Sequence, residues 1–205
     1  TGEMVVVNAD GTVSVVEETV IPEGLGTPEV FKSGRSQYIS STYDYGAKKV
    51  VIAYMDYDNS LRGAAVVGTV SGDSISFGTP VTFSIYSQPE YTSVTYDSVN
   101  DKVVIAYKDK GNSNYGTAMT GTVSGDSISF GTLVVFNSRQ SDGISTTYDS
   151  TANKVVIAYN DYSNYGYGTA IVGTVSSNSI SFGTPVVFNS RGTDYTSSTY
   201  DPVAK

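Results

Sequence analysis

Residues 91–109 read YTSVTYDSVNDKVVIAYKD, and this stretch returns along the chain with small changes. It joins two runs rich in Val, Thr, Tyr and Ile, which favour β-strands, through a short turn. The pair Tyr-Asp that ends the first run recurs with spacings of 53, 52 and 52 residues, at Tyr43-Asp44, Tyr96-Asp97, Tyr148-Asp149 and Tyr200-Asp201. An internal repeat of this length is typical of propellers, solenoids and arrays.

Each repeat contains four predicted strands, and KVVIAY, SISF and Gly-Thr-x-x-x-Phe recur with the same period. In the repeat quoted above the strands are A (91–97), B (102–107), C (116–123) and D (127–136). Four short strands with turn signals at a period of about 52 residues predict a blade of a β-propeller. Strand B is apolar on both faces, which indicates packing between two neighbouring blades.

The two ends of the chain favour closure of four blades. Residues 1–31 lack an A strand but can supply B (3–9), C (11–16) and D (26–31), and a fourth A strand (195–201) comes last. We therefore predict one all-β propeller domain, 1–205, with antiparallel blades at 1–36 plus 195–205, 37–89, 90–141 and 142–194. Joining the two ends removes open sheet edges. Two alternatives remain open: a part of a larger ring or array, and a solenoid or fibre.

Composition narrows the classes of partner and chemistry. The net charge of −8 disfavours a phosphate backbone, so nucleic acid is not expected, and no apolar run is long enough to insert into a membrane. The chain has no Cys and no His. This excludes disulfides, zinc sites built on Cys or His, and Ser-His or Cys-His catalysis.

The blade pattern resembles that of sialidase-like and related propellers. The residues that carry the resemblance are Tyr96-Asp97 and the string VIAYKD at 104–109 with their equivalents, although the Asp-box of true sialidases is missing and the chain has no Trp. The near-identical copies, with phrases such as NKVVIAY and SISFGTPVVF, are similar to tandem repeats of large marine bacterial surface proteins and of phage tail or decoration proteins. That resemblance implies an extracellular or virion-surface location.

Divergence between the copies concentrates in two loops. The A–B and C–D turns stay short and similar, whereas the B–C loops (MDYDNSLRG, KDKGNSNYG, NDYSNYGYG) and the D–A loops differ from copy to copy. In a propeller these two loops lie on the same face, so they predict a binding face on a rigid scaffold. Unconstrained drift of longer loops is the alternative.

The candidate binding residues are the aromatic, amide and charged side chains of these loops. Tyr rings suit stacking on sugars or contact with protein, although packing against the next blade is an equal alternative. The candidates are Arg35, Tyr38, Asp56, Asp58, Asn59, Glu90, Tyr91, Asp109, Asn112, Asn114, Tyr115, Arg139, Asp142, Asp161, Tyr162, Asn164, Tyr165, Arg191, Asp194 and Tyr195.

No metal or cofactor is predicted, with Ca²⁺ as the weaker alternative. Asp56, Asp109 and Asp161 follow strand B by two residues and, with Asp58 and nearby Asn side chains, offer oxygen ligands. Their spacing lacks the Gly and Glu of an EF-hand loop. Turn capping is the favoured role for these carboxylates, and we assign Asp44, Asp97, Asp149 and Asp201 to the A–B turns.

An enzymatic role is not expected. Arg35, Arg139 and Arg191 occupy comparable D–A loops, similar to the arginine cluster with which sialidases clamp a carboxylate, and Glu90 and Asp142 form a conceivable carboxylate pair. Near-identical repeats supply matching arginines without catalysis, whereas a catalytic site needs different residues in different blades.

The sequence therefore favours a non-catalytic binding or adhesion module that contacts a glycan or another surface or virion protein, with an oligomer or longer array as a possible assembly. The first alternative is a purely structural decoration or spacer segment, and the second is a glycoside hydrolase.

Overall fold

The computed structural model describes residues 5–7, 10, 12–15, 26–84 and 88–203. The chain is all-β, and every pairing between its described strands is antiparallel, as the sequence predicts. Within these residues no helix has the length and apolar character needed to cross a membrane.

The described strands form one small hairpin followed by three copies of a single unit. The hairpin pairs β1 (Val5–Val7) with β2 (Val13–Val15). Unit 1 comprises β3 (Ser36–Asp44), β4 (Lys49–Asp56), β5 (Arg62–Ser71), β6 (Ser74–Phe77) and β7 (Val81–Ser84). Unit 2 comprises β8 (Pro89–Asp97), β9 (Lys102–Asp109), β10 (Tyr115–Ser124), β11 (Ser127–Phe130) and the first part of β12 (Val134–Asp149). Unit 3 comprises the rest of β12, β13 (Lys154–Asp161), β14 (Tyr167–Ser176), β15 (Ser179–Phe182) and β16 (Val186–Gly192).

Each unit has the predicted strand order A-B-C-D. In unit 1, β4 lies between β3 and β5, and β5 pairs on its other edge with both β6 and β7. The A–B turns are held by the Asp that ends each A strand: Asp97 Oδ1 accepts hydrogen bonds from the backbone N–H groups of Val99 and Asn100. Asp44, Asp149 and Asp201 accept equivalent bonds from residues two or three positions later. The assignment of these four residues to turns is therefore confirmed.

The B strands lie between neighbouring units and are buried on both faces. In β9, Val103, Ile105 and Tyr107 belong to a core shared with unit 1, and all three are fully buried. The alternating residues Val104 and Ala106 belong to a second core shared with unit 3. Because side chains alternate along a strand, one apolar run supplies two cores, as the sequence predicts.

A second element of each contact between units is a phenylalanine from strand D. Phe83 packs on Tyr107 and Phe136 packs on Tyr159, at ring-centroid distances of 5.5 and 5.2 Å. Upstream of both, Phe31 packs on Tyr54 at 5.3 Å. These contacts follow one another along the chain, so the same pair of ring types holds each unit to the segment that precedes it.

A glycine five residues before each of these rings allows a close approach. A Cβ atom added to Gly26, Gly78 or Gly131 would lie 2.0 Å from a backbone carbonyl oxygen in the next C–D turn. The recurrent Gly-Thr is therefore required by contact between units. The fourth copy, Gly183, meets only Val172 O at 3.8 Å, because no further unit is described beyond it.

The A strands of consecutive units are linked directly by serine hydroxyl groups. Ser40 Oγ accepts a hydrogen bond from Val94 N at 3.1 Å, and Ser93 Oγ accepts one from Thr146 N at 2.9 Å. Ser145 Oγ accepts the third, from Ser198 N at 2.9 Å. We call these contacts join 1 (units 1 and 2), join 2 (units 2 and 3) and join 3 (unit 3 and the A segment 195–201).

Several boundaries differ from the predictions. Strand D is interrupted in every unit, and in unit 2 its second part continues without a break into the next A strand as β12. Neither 26–31 nor 195–201 forms a strand, although both occupy the positions of D and A segments. The prediction of strands there was wrong, because neither segment pairs with a described B or C strand.

The predicted N-terminal strands B (3–9) and C (11–16) are described only at β1 and β2. Of their other residues, only Thr12 is described, and it is not part of a strand. The described strands form a two-stranded, a five-stranded and a nine-stranded sheet.

We expect Phe136→Ala to lower the free energy of unfolding by about 3 kcal/mol, because it empties a buried ring site between units 2 and 3. Phe136 is 7% exposed and contacts Tyr159 and Phe182. Urea unfolding followed by circular dichroism measures the effect. The exposed turn variant Val99→Ala is the control and should change stability by less than about 0.5 kcal/mol. Equal values for both variants would contradict the packing described.

Candidate functional site

The two variable loops of each unit lie at the same end of the sheet and are hydrogen-bonded to each other. Thr193 N donates to Gly166 O at 2.9 Å, and Ser141 N donates to Asn114 O at 3.1 Å. In unit 1, Tyr57 N donates to Arg35 O at 3.1 Å. Each B–C loop is therefore fixed to a D–A loop by its backbone. We call this end of the molecule the loop face.

Every A segment carries a residue with left-handed backbone geometry at the loop face. Tyr38, Tyr91, Gly143 and Tyr195 have φ values of 52°, 53°, 55° and 53°. In the first three, the A–B pairing register shifts at the same point, as in a β-bulge. This geometry costs a non-glycine residue about 1 kcal/mol or more. Tyr195 is 85% exposed, so its ring gains little packing in return.

A buried lysine organises join 2 at the loop face. Lys108 Nζ lies 2.7 Å from Glu90 Oε2 and 2.8 Å from Asp142 Oδ1, so it binds one carboxylate from each unit. It also lies 4.9 Å from the centroid of the Tyr91 ring. Lys110 contacts the other Glu90 oxygen at 3.2 Å. The candidates Glu90, Tyr91 and Asp142 thus meet around a residue that the sequence does not single out.

The electrostatics of this cluster favour the charged forms. Burial by itself would raise the pKa of Glu90, but hydrogen bonds and charge from Lys108 and Lys110 outweigh it and lower the pKa below its ordinary value of 4.5. Burial by itself would lower the pKa of Lys108. The hydrogen bonds from its ammonium group to Asp142 and Glu90 outweigh burial and raise the pKa above its ordinary value of 10.5. Glu90 and Lys108 therefore form an ion pair at neutral pH.

The three candidate arginines contact different residues. The Arg35 guanidinium lies over the Tyr57 ring, 4.1 Å from its centroid. Arg139 and Arg191 are exposed, and their backbone carbonyls accept hydrogen bonds from Ser141 Oγ and Thr193 Oγ1. No contact described in the structure joins the three guanidinium groups to one another.

Three of the four carboxylates considered for Ca²⁺ cap turns, and the fourth, Asp58, binds the backbone of the neighbouring D–A loop. Asp109 Oδ1 accepts from Asn112 N at 3.0 Å at the start of a short 3₁₀ turn, and Asp161 Oδ1 accepts from Ser163 N and Oγ. Asp56 Oδ1 accepts from Asn59 N. Asp58 Oδ2 accepts from Arg35 N at 2.9 Å. Among the described residues, no group of three or more acidic side chains is arranged to hold a metal ion.

The other candidates differ in exposure. Tyr38 packs against Tyr91 with ring centroids 5.6 Å apart, so the alternative of packing against the next unit applies to that ring. Partly buried candidates are Asn114, Tyr115 and Asn164. Exposed candidates are Asn59, Asn112, Tyr162, Tyr165, Asp194 and Tyr195.

A cavity of about 480 Å³ at the opposite end of the molecule was not predicted. Its lining includes equivalent threonines and tyrosines from all four A segments, among them Tyr43, Tyr96, Tyr148 and Tyr200. The tyrosines link consecutive units: Tyr96 Oη accepts from Gly46 N at 3.0 Å and donates to Asp101 Oδ1 at 2.7 Å. The recurrent Tyr-Asp pair was the sequence signal for this cavity. Equivalent positions of repeated A strands can meet around one axis, so their tyrosines can line a common cavity.

A scan against protein-family models and a search of curated proteins gave no match to this chain.

We expect Glu90→Gln to weaken the protein at neutral pH but not in acid. The pKa of Glu90 is lowered by folding, so its contribution to stability is fully present above 4.5 and is lost as the pH falls through the lowered value. The difference in free energy of unfolding between wild type and Glu90→Gln should therefore be largest near neutral pH and shrink as the pH falls below 4.5 and through the lowered pKa of Glu90. Urea titrations at several pH values measure it, and Glu29→Gln, at an exposed position, is the control. A difference independent of pH would contradict the ion pair.

Proposed function

We propose that the chain is a non-catalytic binding or adhesion module that contacts a glycan or a protein through its loop face. The observation that carries this proposal is the chemistry of the three joins. The serine contact between A segments is repeated at all three joins and the phenylalanine contact at joins 1 and 2, whereas the residues that face the loop end differ. Join 1 has Gln37 and Met55 at positions where join 2 has Glu90 and Lys108. Repetition of the scaffold with variation at one end is typical of binding surfaces.

The proposed scaffold is a four-bladed β-propeller whose first and last residues share a blade. The cavity lined by all four A segments supports a common axis for these segments. Residues 26–31 pack on unit 1 as a D segment, and residues 195–201 contact unit 3 as an A segment. Each end thus presents a different part of the same unit. Closure would bring the two parts together and cover the open edges.

The state of the carboxylates favours binding over glycoside hydrolysis. A glycosidase of the two-carboxylate type needs a general acid whose pKa is raised. The pKa of Glu90 is lowered instead, and both Glu90 and Asp142 are bonded to Lys108.

A purely structural role, as a spacer or decoration segment of a surface or phage fibre, is the second candidate. It is favoured by the apolar side chains that unit 3 leaves open: Val186, Val187 and Phe188 are 65%, 42% and 56% exposed. A further copy of the unit would cover them in an extended array. The extracellular or virion-surface location belongs to both candidates and is supported by the resemblance of the repeats.

We expect the purified chain to bind one class of ligand on a glycan array, and Tyr195→Ala to weaken that binding at least tenfold without loss of stability. Tyr195 is 85% exposed at the loop face, so its removal should not disturb the core. Tyr45→Ala is the matched control, because Tyr45 is 72% exposed at the opposite end. Equal loss in both variants, or a blank array with a folded sample, would favour the structural role.

Closure of the ring can be tested at Phe188. If residues of the N-terminal segment complete a fourth blade, they will cover this ring as unit 3 covers Phe136. We therefore expect Phe188→Ala to lower the free energy of unfolding by about 2 kcal/mol or more in a monomeric sample. Urea unfolding measures it, with monomer state checked by light scattering. A cost below about 0.5 kcal/mol would contradict closure, because exposed side chains contribute little.

A further inference from the structure

One position at each join faces the loop end between two consecutive A segments. It is the second-last residue of strand B: Met55 in join 1, Lys108 in join 2 and Asn160 in join 3. The pairing register places Lys108 opposite Glu90 and Asn160 opposite Asp142. The three joins can therefore be compared position by position.

Join 2 shows how this position holds an ammonium group. Lys108 is 7% exposed, and its Nζ is 2.7 and 2.8 Å from the carboxylates of Glu90 and Asp142. The Tyr91 ring lies 4.9 Å from the same atom. Two carboxylates and one aromatic ring thus surround a primary ammonium ion, which is a favourable arrangement for a desolvated cation.

Join 3 retains the two carboxylates but lacks both the lysine and the tyrosine. Asp142 takes the place of Glu90, and Asp194 takes the place that Asp142 has in join 2. Asn160 replaces Lys108, and Gly143 replaces Tyr91. Since these two replacements remove the longest side chains of the site, they leave space where join 2 is filled.

That space is a cavity of about 200 Å³, lined by the two carboxylates, Asn160 and Tyr195 among others. A second cavity of about 450 Å³ shares Asp142, Asn160 and Asp194 in its lining and adds Tyr162. The exposed tyrosine rings at this end of the molecule therefore border the same site as the carboxylates.

A buried polar atom independently indicates a missing partner. Asn160 is 7% exposed and lines both cavities, and its Nδ2 donates to Thr193 O. Its Oδ1 is buried and has no hydrogen-bond partner. A buried acceptor without a partner is costly, so a donor supplied by a ligand would stabilise the site.

The charges in join 3 are not balanced as they are in join 2. Asp142 shares Lys108 with Glu90 and accepts from Gln140 Nε2 at 2.8 Å. Among the described residues, no lysine or arginine pairs with Asp194. Asp142 is therefore already compensated, whereas Asp194 lies at the cavity without a cationic partner, near the unpartnered Asn160 Oδ1. A primary ammonium group carries one positive charge, which compensates the charge of Asp194.

We propose that join 3 binds the side-chain ammonium group of a lysine on a protein partner. Lysine is favoured over other amines because join 2 already holds a lysine side chain in the equivalent position. The inference rests on the loop face being a binding surface, and it specifies the partner chemistry there. The alkyl chain enters past the tyrosine rings, and the ammonium group replaces the one that Lys108 supplies in join 2.

The test is a titration of the full chain with Nα-acetyl-lysine amide, followed by NMR shifts of the Gly143 and Gly166 amides. We expect saturable binding with a dissociation constant on the order of 1 mM, since one charged contact provides modest affinity. The Nε-acetylated form lacks the charge and two of the donors, so it should bind at least tenfold more weakly. Binding should also weaken as salt is added.

Two variants separate the site from a general effect of acidity. Asn160→Lys recreates the lysine of join 2 and should abolish binding while leaving the protein folded. Asp194→Asn removes an exposed carboxylate and should weaken binding at least tenfold.

Each other outcome overturns the proposal. Binding that survives Asn160→Lys would place the ligand elsewhere, and tighter binding of glucosamine than of the lysine amide would indicate an amino-sugar site. Displacement of the lysine amide by equimolar Ca²⁺ would indicate a metal site, and absence of shifts would indicate no site. Absence of lysine-amide binding, together with glycan binding that depends on Tyr195, would overturn this inference and leave the proposed function standing. Binding of the lysine amide with a blank glycan array would instead uphold this inference, with a protein as the partner of the loop face.

Discussion

The architecture depends on a hydrogen bond between the hydroxyl of one A strand and the backbone N–H of the next. An A strand pairs with strand B on one edge, and its other edge would expose backbone donors. Ser40, Ser93 and Ser145 accept one such donor each from the following unit. The small side chain lets the A strands approach, and this approach brings Phe83 and Phe136 against the tyrosines of the next B strand.

Much of the fold follows from sequence because its signals are local and repeated. The period, the four strands of a unit, the two-faced B strand and the turn role of Asp97 were all predictable, since each depends on residues close in the chain. The absence of strand structure in 195–201 was not. The sequence of 195–201 matches that of the paired A strands. A β-strand, however, also needs a neighbouring strand to hydrogen-bond with, and no described B strand follows Asp201.

The candidate site was predictable in position but not in mechanism. The loop face could be located from divergence between copies, and Glu90, Asp142 and Tyr91 were among its candidates. Lys108 and Asn160 were not singled out, because each is a one-residue difference beside an otherwise identical strand. Their importance comes from the join: Lys108 binds a carboxylate of its own unit and one of the next, 34 residues later in sequence. Predicting this contact requires knowing how close two consecutive units lie in space, and the sequence repeat alone does not give that distance.

The sameness of the joins has a consequence for assembly. Each unit offers one surface to its predecessor and a different surface to its successor, which is the head-to-tail arrangement of a heterologous interface. A contact of this kind closes into a ring when its rotation divides a full turn, and it otherwise continues as a helical filament. The residues of a single unit therefore do not encode how many units assemble. That number is set by one angle, repeated at every join, so a small change in the tilt between two A strands would be multiplied around the whole structure.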